Sequence, residues 1–370
     1  MAKQLVFSWT GAPGTGVGVR GSRILIYYLA GKHRSLGVQL KYFPGELAQA
    51  VRLLQYEHLY SRDVLPGGTY IFTDFDRLPP AQLAKLHKLW DWFDTIDADI
   101  RRFNDPRRAL FRFDLLRRLH EAGINDFNVY RLEDWREVRR FPVFIRKEKH
   151  QKEPVTGLLH DRFALAEAVA QLGSSGDHAN IIVVEFCNEP FADGRYRKYG
   201  AFRVGDAHYV QHCYISKHWY IKSGTAELGV AEIAEAMEYR DSNPHAAQLR
   251  EIFDIAGIEY GRIDYGVAGG RVQVYEINTN PTVISLSSVR EPHPRIDSSK
   301  FARIHEEAML PLARFTGTPL RLPEELVDRT GADLSIEDVH SRALAEAIKT
   351  GTERKGASGK LSKIMARLRA

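Results

Sequence analysis

The chain has 370 residues, with 44% hydrophobic and 27% charged side chains, enough apolar material for two or three units of ordinary domain size. No apolar run approaches the ~18 residues that a membrane helix needs. The formal net charge of +5 is matched by residues 351–370, where Arg354, Lys355, Lys360, Lys363, Arg367 and Arg369 face one acid, Glu353. The rest is near neutral, so the charge points to a basic tail and not to a nucleic-acid-binding body.

The elements follow a β-α-β rhythm at the start. Residues 4–9 (QLVFSW) read as a strand that runs into the glycine-rich turn GAPGTGVGVRG, a pattern closer to a first strand than to a signal peptide. A helical run is expected from about Ser22 to Ala30, a strand over 38–43, a helix over 45–60 and a strand over 68–75. A second unit begins near Phe103, where Asn104-Asp105-Pro106 looks like a helix start and Gly123 like its stop. Strands are expected at 127–132 and 141–147, a helix at 161–172, and an apolar strand, IIVVEF, at 181–186. A hairpin turns at Gly205-Asp206, helices follow at 226–239 and 244–256, and a second hairpin turns at Gly269-Gly270. The last ~50 residues read as helical, interrupted by the flexible GTERKGASGK. Cys187 and Cys213 fit no zinc or disulfide spacing and read as small apolar fillers in a reducing cytoplasm.

The informative segment is GRIDYGVAGGRVQVYEINTNPT, residues 261–282. Asp264 and Glu276 fall on two strands joined by a short turn, and Glu276 and Asn278, two apart, share a face. Three hard oxygen donors on one face suit Mg²⁺, with phosphate completing the shell. Arg262 lies on the same face, where a guanidinium can hold a phosphoryl group or an oxyanion. Each of these residues alone is an ordinary polar side chain; the set together is not. Upstream, Gly16-x-Gly18-x-x-Gly21 with Arg20 lies between the first strand and the helical run. It leaves three readings open: substrate-anion binding at a helix N-terminus, a structural turn, or a dinucleotide fingerprint. The last lacks the acid expected ~20 residues on.

GRIDY…VYEINTNPT resembles the metal-binding core of the ATP-grasp superfamily, and is especially similar to that of D-alanine–D-alanine ligases. The resemblance runs in order, more loosely, from about Asn104 to Pro281. It implies an α+β ATP-grasp fold: a Rossmann-like α/β domain at 1–102, two ATP-grasp subdomains at 103–187 and 188–318 with nucleotide between them, and a helical basic tail at 319–370. It implies Asp264, Glu276 and Asn278 as Mg²⁺ ligands and Arg262 as the catalytic stabiliser of charge. FPVFIRK is similar to the family strand whose lysine reaches the phosphates; here Arg146 holds the strand phase and Lys147 follows, so either could serve. IIVVEFCNEP resembles the hinge strand that meets adenine, with Glu185 marking it, Phe186 and Cys187 as its backbone and Asp193 as the candidate ribose acid. Lys198 or Arg203 would reach the phosphates, and His150, Lys152 and Thr156 stand in a loop poorer in glycine than the family's. Trp219 and Lys222 are candidate pocket residues, and Ser285 is a candidate at the acceptor substrate, beside Gly16, Gly18 and Arg20.

The activity implied is an ATP- and Mg²⁺-dependent ligase that activates a carboxylate, from a small molecule or a peptide, as an acyl phosphate for attack by an amine. A small-molecule kinase on the same fold is the alternative, then a nucleotide-binding module without turnover. An NAD-dependent enzyme ranks last.

Overall fold

The computed structural model describes residues 26–31, 35–96, 100–149, 153–173, 180–293, 296–314 and 319–328. The expected strand at 4–9, the glycine run with Gly16, Gly18 and Arg20, His150, Lys152 and the basic tail lie outside the described residues. Among the described residues no helix is long and apolar enough to cross a membrane.

The first unit runs β1 (Ile26–Ala30), α1 (Gly37–Tyr42), α2 (Leu47–Ala50), β2 (Val51–Gln55), α3 (Tyr56–Tyr60), β3 (Val64–Leu65), β4 (Thr69–Phe72), α4 (Pro80–Thr95) and β5 (Arg101–Phe103). Strands β2, β1, β4 and β5 form a parallel sheet in that order. Three expectations are corrected here. The helical run ending at Ala30 is strand β1, whose Ile26, Tyr28, Leu29 and Ala30 are buried; a strand covered on both faces gives a continuous apolar run that periodicity cannot tell from a helix. The strand expected over 38–43 is helix α1, which turns Gln39 and Leu40 inward, Gln39 Nε2 donating to the Ala302 carbonyl at 2.9 Å. The helix expected over 45–60 breaks into α2, β2 and α3, because pairing with β1 along its whole length outweighs the helix propensity of Val51–Gln55.

The second unit has α5 (Arg112–Glu121), β6 (Val129–Arg131), β7 (Val143–Lys147), α6 (Arg162–Gly173) and β8 (Ile181–Glu185). These strands make a small antiparallel sheet, β6-β8-β7. Its outer face, Val143, Ile145 and Val183, packs under α6 with Leu165. Its inner face, Phe144, Ile182 and Val184, packs with Leu116 of α5 and with Trp219. Helix α5 does end at the expected place, Gly123 taking φ +69°. It does not start at Asn104, however. Asn104 instead turns through φ +66° and ties β4 to the residues before the next sheet.

The third unit has β9 (Tyr196–Val204), β10 (Ala207–Ser216), α7 (Val230–Ser242), α8 (Ala246–Ala256), β11 (Tyr260–Ala268) and β12 (Arg271–Asn278). Its antiparallel sheet has the order β10-β9-β11-β12. Gly269 and Gly270 take φ +54° and +75°, the conformation a two-residue hairpin turn demands. Leu115 and Leu119 of α5, with Leu249, Ile252 and Phe253 of α8, cover one face of this sheet. The chain then makes α9 (Leu286–Arg290), α10 (Ser298–Met309) and β13 (Leu320–Arg321). Helix α10 packs between the first sheet and the large sheet through Phe301, Ala302 and Met309. Strand β13 pairs with β3, so the end of the described chain is not all helical, as expected, but returns to the first unit.

Candidate active site

The four residues of the informative segment form two cross-strand pairs. Arg262 of β11 faces Asn278 of β12, and Asp264 faces Glu276. Facing residues of an antiparallel ladder share a side, so all four side chains stand on one surface of the large sheet. Asp264 is 1% exposed. Its Oδ1 accepts from Arg262 Nε at 2.7 Å and its Oδ2 pairs with Lys198 Nζ at 2.7 Å. Those cations hold the Asp264 carboxyl well below the usual range, against a desolvation that would raise it. Arg262 also donates from Nη1 to Gln211 Oε1 at 2.9 Å, which fixes the guanidinium plane. Asn278 Oδ1 accepts from the Asn280 N–H at 2.9 Å, opening the Thr-Asn-Pro turn.

Glu276 pairs with Arg112, at the first turn of α5. Arg112 also donates to the Glu148 carbonyl. Burial, with Arg146 close by, pushes the Arg112 guanidinium down to about 9. Arg112 was absent from the residues expected in the site. It sits in an arginine-rich helix where spacing marks no one arginine, and only the fold selects it.

Arg112 and Glu276 border a cleft of about 750 Å³, open to solvent, between the small and large sheets. Arg112, Arg146, Lys198 and Lys222 line it, together with Glu276 and the hinge segment Glu185–Asn188. Burial lowers the pKa of each of the four cations. Arg112 and Lys198 are paired with Glu276 and Asp264, which offsets part of the cost of burying their charge. Phe144, Phe186, Trp219 and Tyr275 supply apolar walls. A second cleft, of about 550 Å³, lies on the side of the first unit, against Asp76, Arg77 and Thr279. The two share Arg112 and Glu276.

Arg146 is nine-tenths buried on the cleft face of β7, in phase with Phe144, whereas Lys147 is exposed. Lys198 lies in the cleft, while Arg203 pairs with Asp254 at 2.6 Å, away from it. The Glu185 carboxylate accepts from Tyr130 Oη at 3.0 Å, the Asn128 N–H at 2.9 Å and the Arg140 N–H at 3.3 Å. The Phe186 N–H donates to the Pro142 carbonyl at 2.9 Å, so the hinge amide expected of Phe186 is already engaged and Cys187 follows it on the cleft edge. Trp219 and Lys222 both line the cleft. Thr156 does not point at it: its Oγ1 accepts from the Ile145 N–H at 3.0 Å.

Two further candidates are not brought to the site. Asp193 is exposed and its carboxylate is taken by Arg195 at 2.9 Å and Arg197 at 2.7 Å, so the acidic residue read for ribose is part of a surface ion network. Ser285 is the N-cap of α9, its Oγ accepting from the Ser288 N–H at 3.0 Å. An N-cap serine looks the same in sequence as a substrate serine.

Asp264, Glu276 and Asn278 fit a hard divalent cation by donor type: two carboxylates and an amide oxygen, on one face, beside a cavity ringed with anion-binding groups. Among the described residues no three His, Cys, Asp or Glu side chains gather into a metal site. The set therefore needs oxygens from a ligand to complete a shell, as Mg²⁺ bound with phosphate does.

No family model matches the sequence, and no curated protein matches it. Among solved structures the fold is similar to a RimK-domain ATP-grasp protein from Sphaerobacter thermophilus, at 16% identity and a TM-score of 0.45 over 77% of this chain and 99% of that one. It is similar to the ATP-grasp ligase PsnB in complex with a minimal precursor, at 12% identity and a TM-score of 0.44 over 77% and 99%. It is also similar to a D-alanine–D-alanine ligase from Bacillus anthracis complexed with ATP, at 14% identity and a TM-score of 0.40 over 78% and 98%. Likeness at this distance assigns no activity, and the residues of the cleft have to do so.

Proposed function

We propose that this chain is an ATP-grasp ligase that uses Mg·ATP to turn a carboxylate into an acyl phosphate, which an amine then attacks. The observation that carries the reading is that Arg112, Arg146, Lys198 and Lys222 line one cleft with Glu276, while Lys198 also pairs with Asp264, the cross-strand neighbour of Glu276. The segments 103–187 and 188–318 would be the two halves that grip the nucleotide, with 1–102 on the substrate side. Asp264, Glu276 and Asn278 would hold Mg²⁺, which would offset the charge of the phosphates.

The residues of the chain do the rest. The aromatic walls exclude water from the base end of the cleft. Arg146 and Lys198 orient the phosphates, Lys198 through the ammonium it already presents at Asp264. Arg112 ties Glu276 to helix α5, and so sets the carboxylate at the junction of the two clefts. Arg262, fixed by Gln211 and Asp264, faces the charge that develops on the transferred phosphoryl group. The second cleft reaches Glu276 and Asn278 from the first unit, which gives the carboxylate and the amine an entry that the nucleotide does not block. Such a site works by positioning and electrostatics more than by covalent chemistry of its own.

Mg·ATP should raise the melting temperature of the wild type and leave Glu276→Ala nearly unmoved. ADP release in a panel of carboxylates should then depend on an added amine. A wild type that Mg·ATP does not stabilise would refute the nucleotide reading; ADP release that needs no amine would favour a kinase.

A further inference from the structure

The second cleft holds an acid with no close partner. One wall is Phe75, Asp76 and Arg77, which follow the carboxyl end of β4, the side on which open parallel sheets meet their ligands. This turn is held from several directions. Asp74 takes φ +60° and its N–H donates to Thr279 Oγ1 at 2.9 Å. Arg77 Nη1 pairs with Asp74 Oδ1 at 3.1 Å, and Phe75 is buried against Phe111, the ring centroids 5.9 Å apart. Most charges on the cleft are paired closely: Glu276 with Arg112, Glu148 with Arg131 at 2.5 Å, and Arg77 with Asp74. Asp76 is left over. Among the described residues its one cation within reach is Arg77, whose Nε stands 4.0 Å away. The Asp76 carboxylate and the Arg112 guanidinium each feel the other's charge, so Asp76 lies on the side where Arg112 and Glu276 join the two clefts. Partial burial pushes its carboxyl up, against the pull of Arg77, and a cation bound beside it would favour the charged form.

We propose that Asp76 receives the ammonium group of the amine substrate and holds it beside the junction of the two clefts. The substrate class is then a primary amine that enters as its cation, on an apolar body that Phe75, Phe111 and Ile277 face. This rests on the ligase reading above and names the residue that the amine meets. A charge-assisted hydrogen bond at a half-buried carboxylate is worth about tenfold or more in affinity. An asparagine there keeps the size of the side chain and loses the charge.

The test is a set of thermal-shift titrations in saturating Mg·AMP-PNP with two groups of probes. Amides of the common amino acids carry an ammonium and no carboxylate; N-acetyl amino acids carry the reverse. At least one amide should raise the melting temperature of the wild type. Its apparent affinity should fall about tenfold or more in Asp76→Asn, with the Mg·AMP-PNP shift unchanged. Asp76→Glu, which restores the charge, should recover part of that loss, and no N-acetyl amino acid should respond to either substitution. An amide that binds the wild type and Asp76→Asn alike overturns the proposal, as does a wild type that no amide stabilises; an intact Mg·AMP-PNP shift then leaves the nucleotide reading standing. Loss of the Mg·AMP-PNP shift in Asp76→Asn would show that Asp76 serves the nucleotide, and also overturns it. A wild type that Mg·AMP-PNP does not stabilise removes both readings.

Discussion

Arg146 and Lys147 are neighbours on β7, and the pleat sends their side chains to opposite sides. Arg146 is the one on the cleft face, beside Phe144, with its pKa lowered by burial. A phosphate contact there is a charge-assisted hydrogen bond in a dry cavity, worth about 1.5–3 kcal/mol. Arg146→Ala should therefore weaken Mg·ATP binding by about ten- to a hundredfold by calorimetry, and Lys147→Ala by less than about twofold. The reverse order would show that the strand meets phosphate with its other face. Ser285 makes the converse case. Its hydroxyl caps α9, and removing an N-cap costs about 1 kcal/mol. Ser285→Ala should lower the unfolding free energy from urea melts by that much and leave ATP affinity unchanged. A loss of affinity without loss of stability would return Ser285 to the substrate side.

Between elements, Asn104 is the side chain that joins most. It is 0% exposed and makes four hydrogen bonds to backbone. Its Nδ2 donates to the Phe72 and Tyr260 carbonyls, both at 2.8 Å, and its Oδ1 accepts from the Glu259 and Tyr260 N–H groups, both at 2.9 Å. It does this from φ +66°, which asparagine tolerates better than most residues. Asn104→Ala would strand several buried backbone groups and add backbone strain, so a loss of about 3 kcal/mol or more is expected in denaturant melts. A loss below about 1 kcal/mol would mean that water replaces the side chain. In sequence, Asn-Asp-Pro reads as a helix start because local signals name only local roles; the partners of Asn104 lie far along the chain. The same reason hides Arg112, whose partner Glu276 sits on another sheet. It also explains why β1 reads as helix: its burial comes from α10 and from the flanking strands β2 and β4. The β11–β12 hairpin was legible because everything needed was local: alternation, a Gly-Gly turn, and polar residues at positions that share a face. The hairpin gave the set Arg262, Asp264, Glu276 and Asn278; the tertiary fold was needed to find Asp193 outside the cleft and Arg112 on it.

At the scale of the molecule, the first sheet and the large sheet are held together by a seam. Tyr28 Oη donates to Asn280 Oδ1 at 3.1 Å, and the Asp74 N–H donates to Thr279 Oγ1 at 2.9 Å, so the turn after Asn278 is docked on the first sheet. Behind it, α10 fills the space between sheets and brings His305 into the core at 0% exposure. Tyr209 Oη and His305 Nδ1 are 2.5 Å apart, and the ring is surrounded by Phe202, Tyr209 and Tyr260, with no charged group among these neighbours. Burial pushes the His305 imidazole down to about 3. An unfolded histidine takes its proton near pH 6.5. Between those values the unfolded chain binds one more proton than the folded one, so this stability is present above pH 6.5 and is lost as pH falls toward 3. The slope reaches about 1.4 kcal/mol per pH unit, or about 2 kcal/mol between pH 6.5 and 5. Other buried histidines add slopes of their own, so the readout is a difference. His305→Phe should lose about 2 kcal/mol less than the wild type over that interval in urea melts. Equal losses in the two proteins would show that the unfolded and folded states protonate His305 alike, and that the seam opens to water well before the fold is lost.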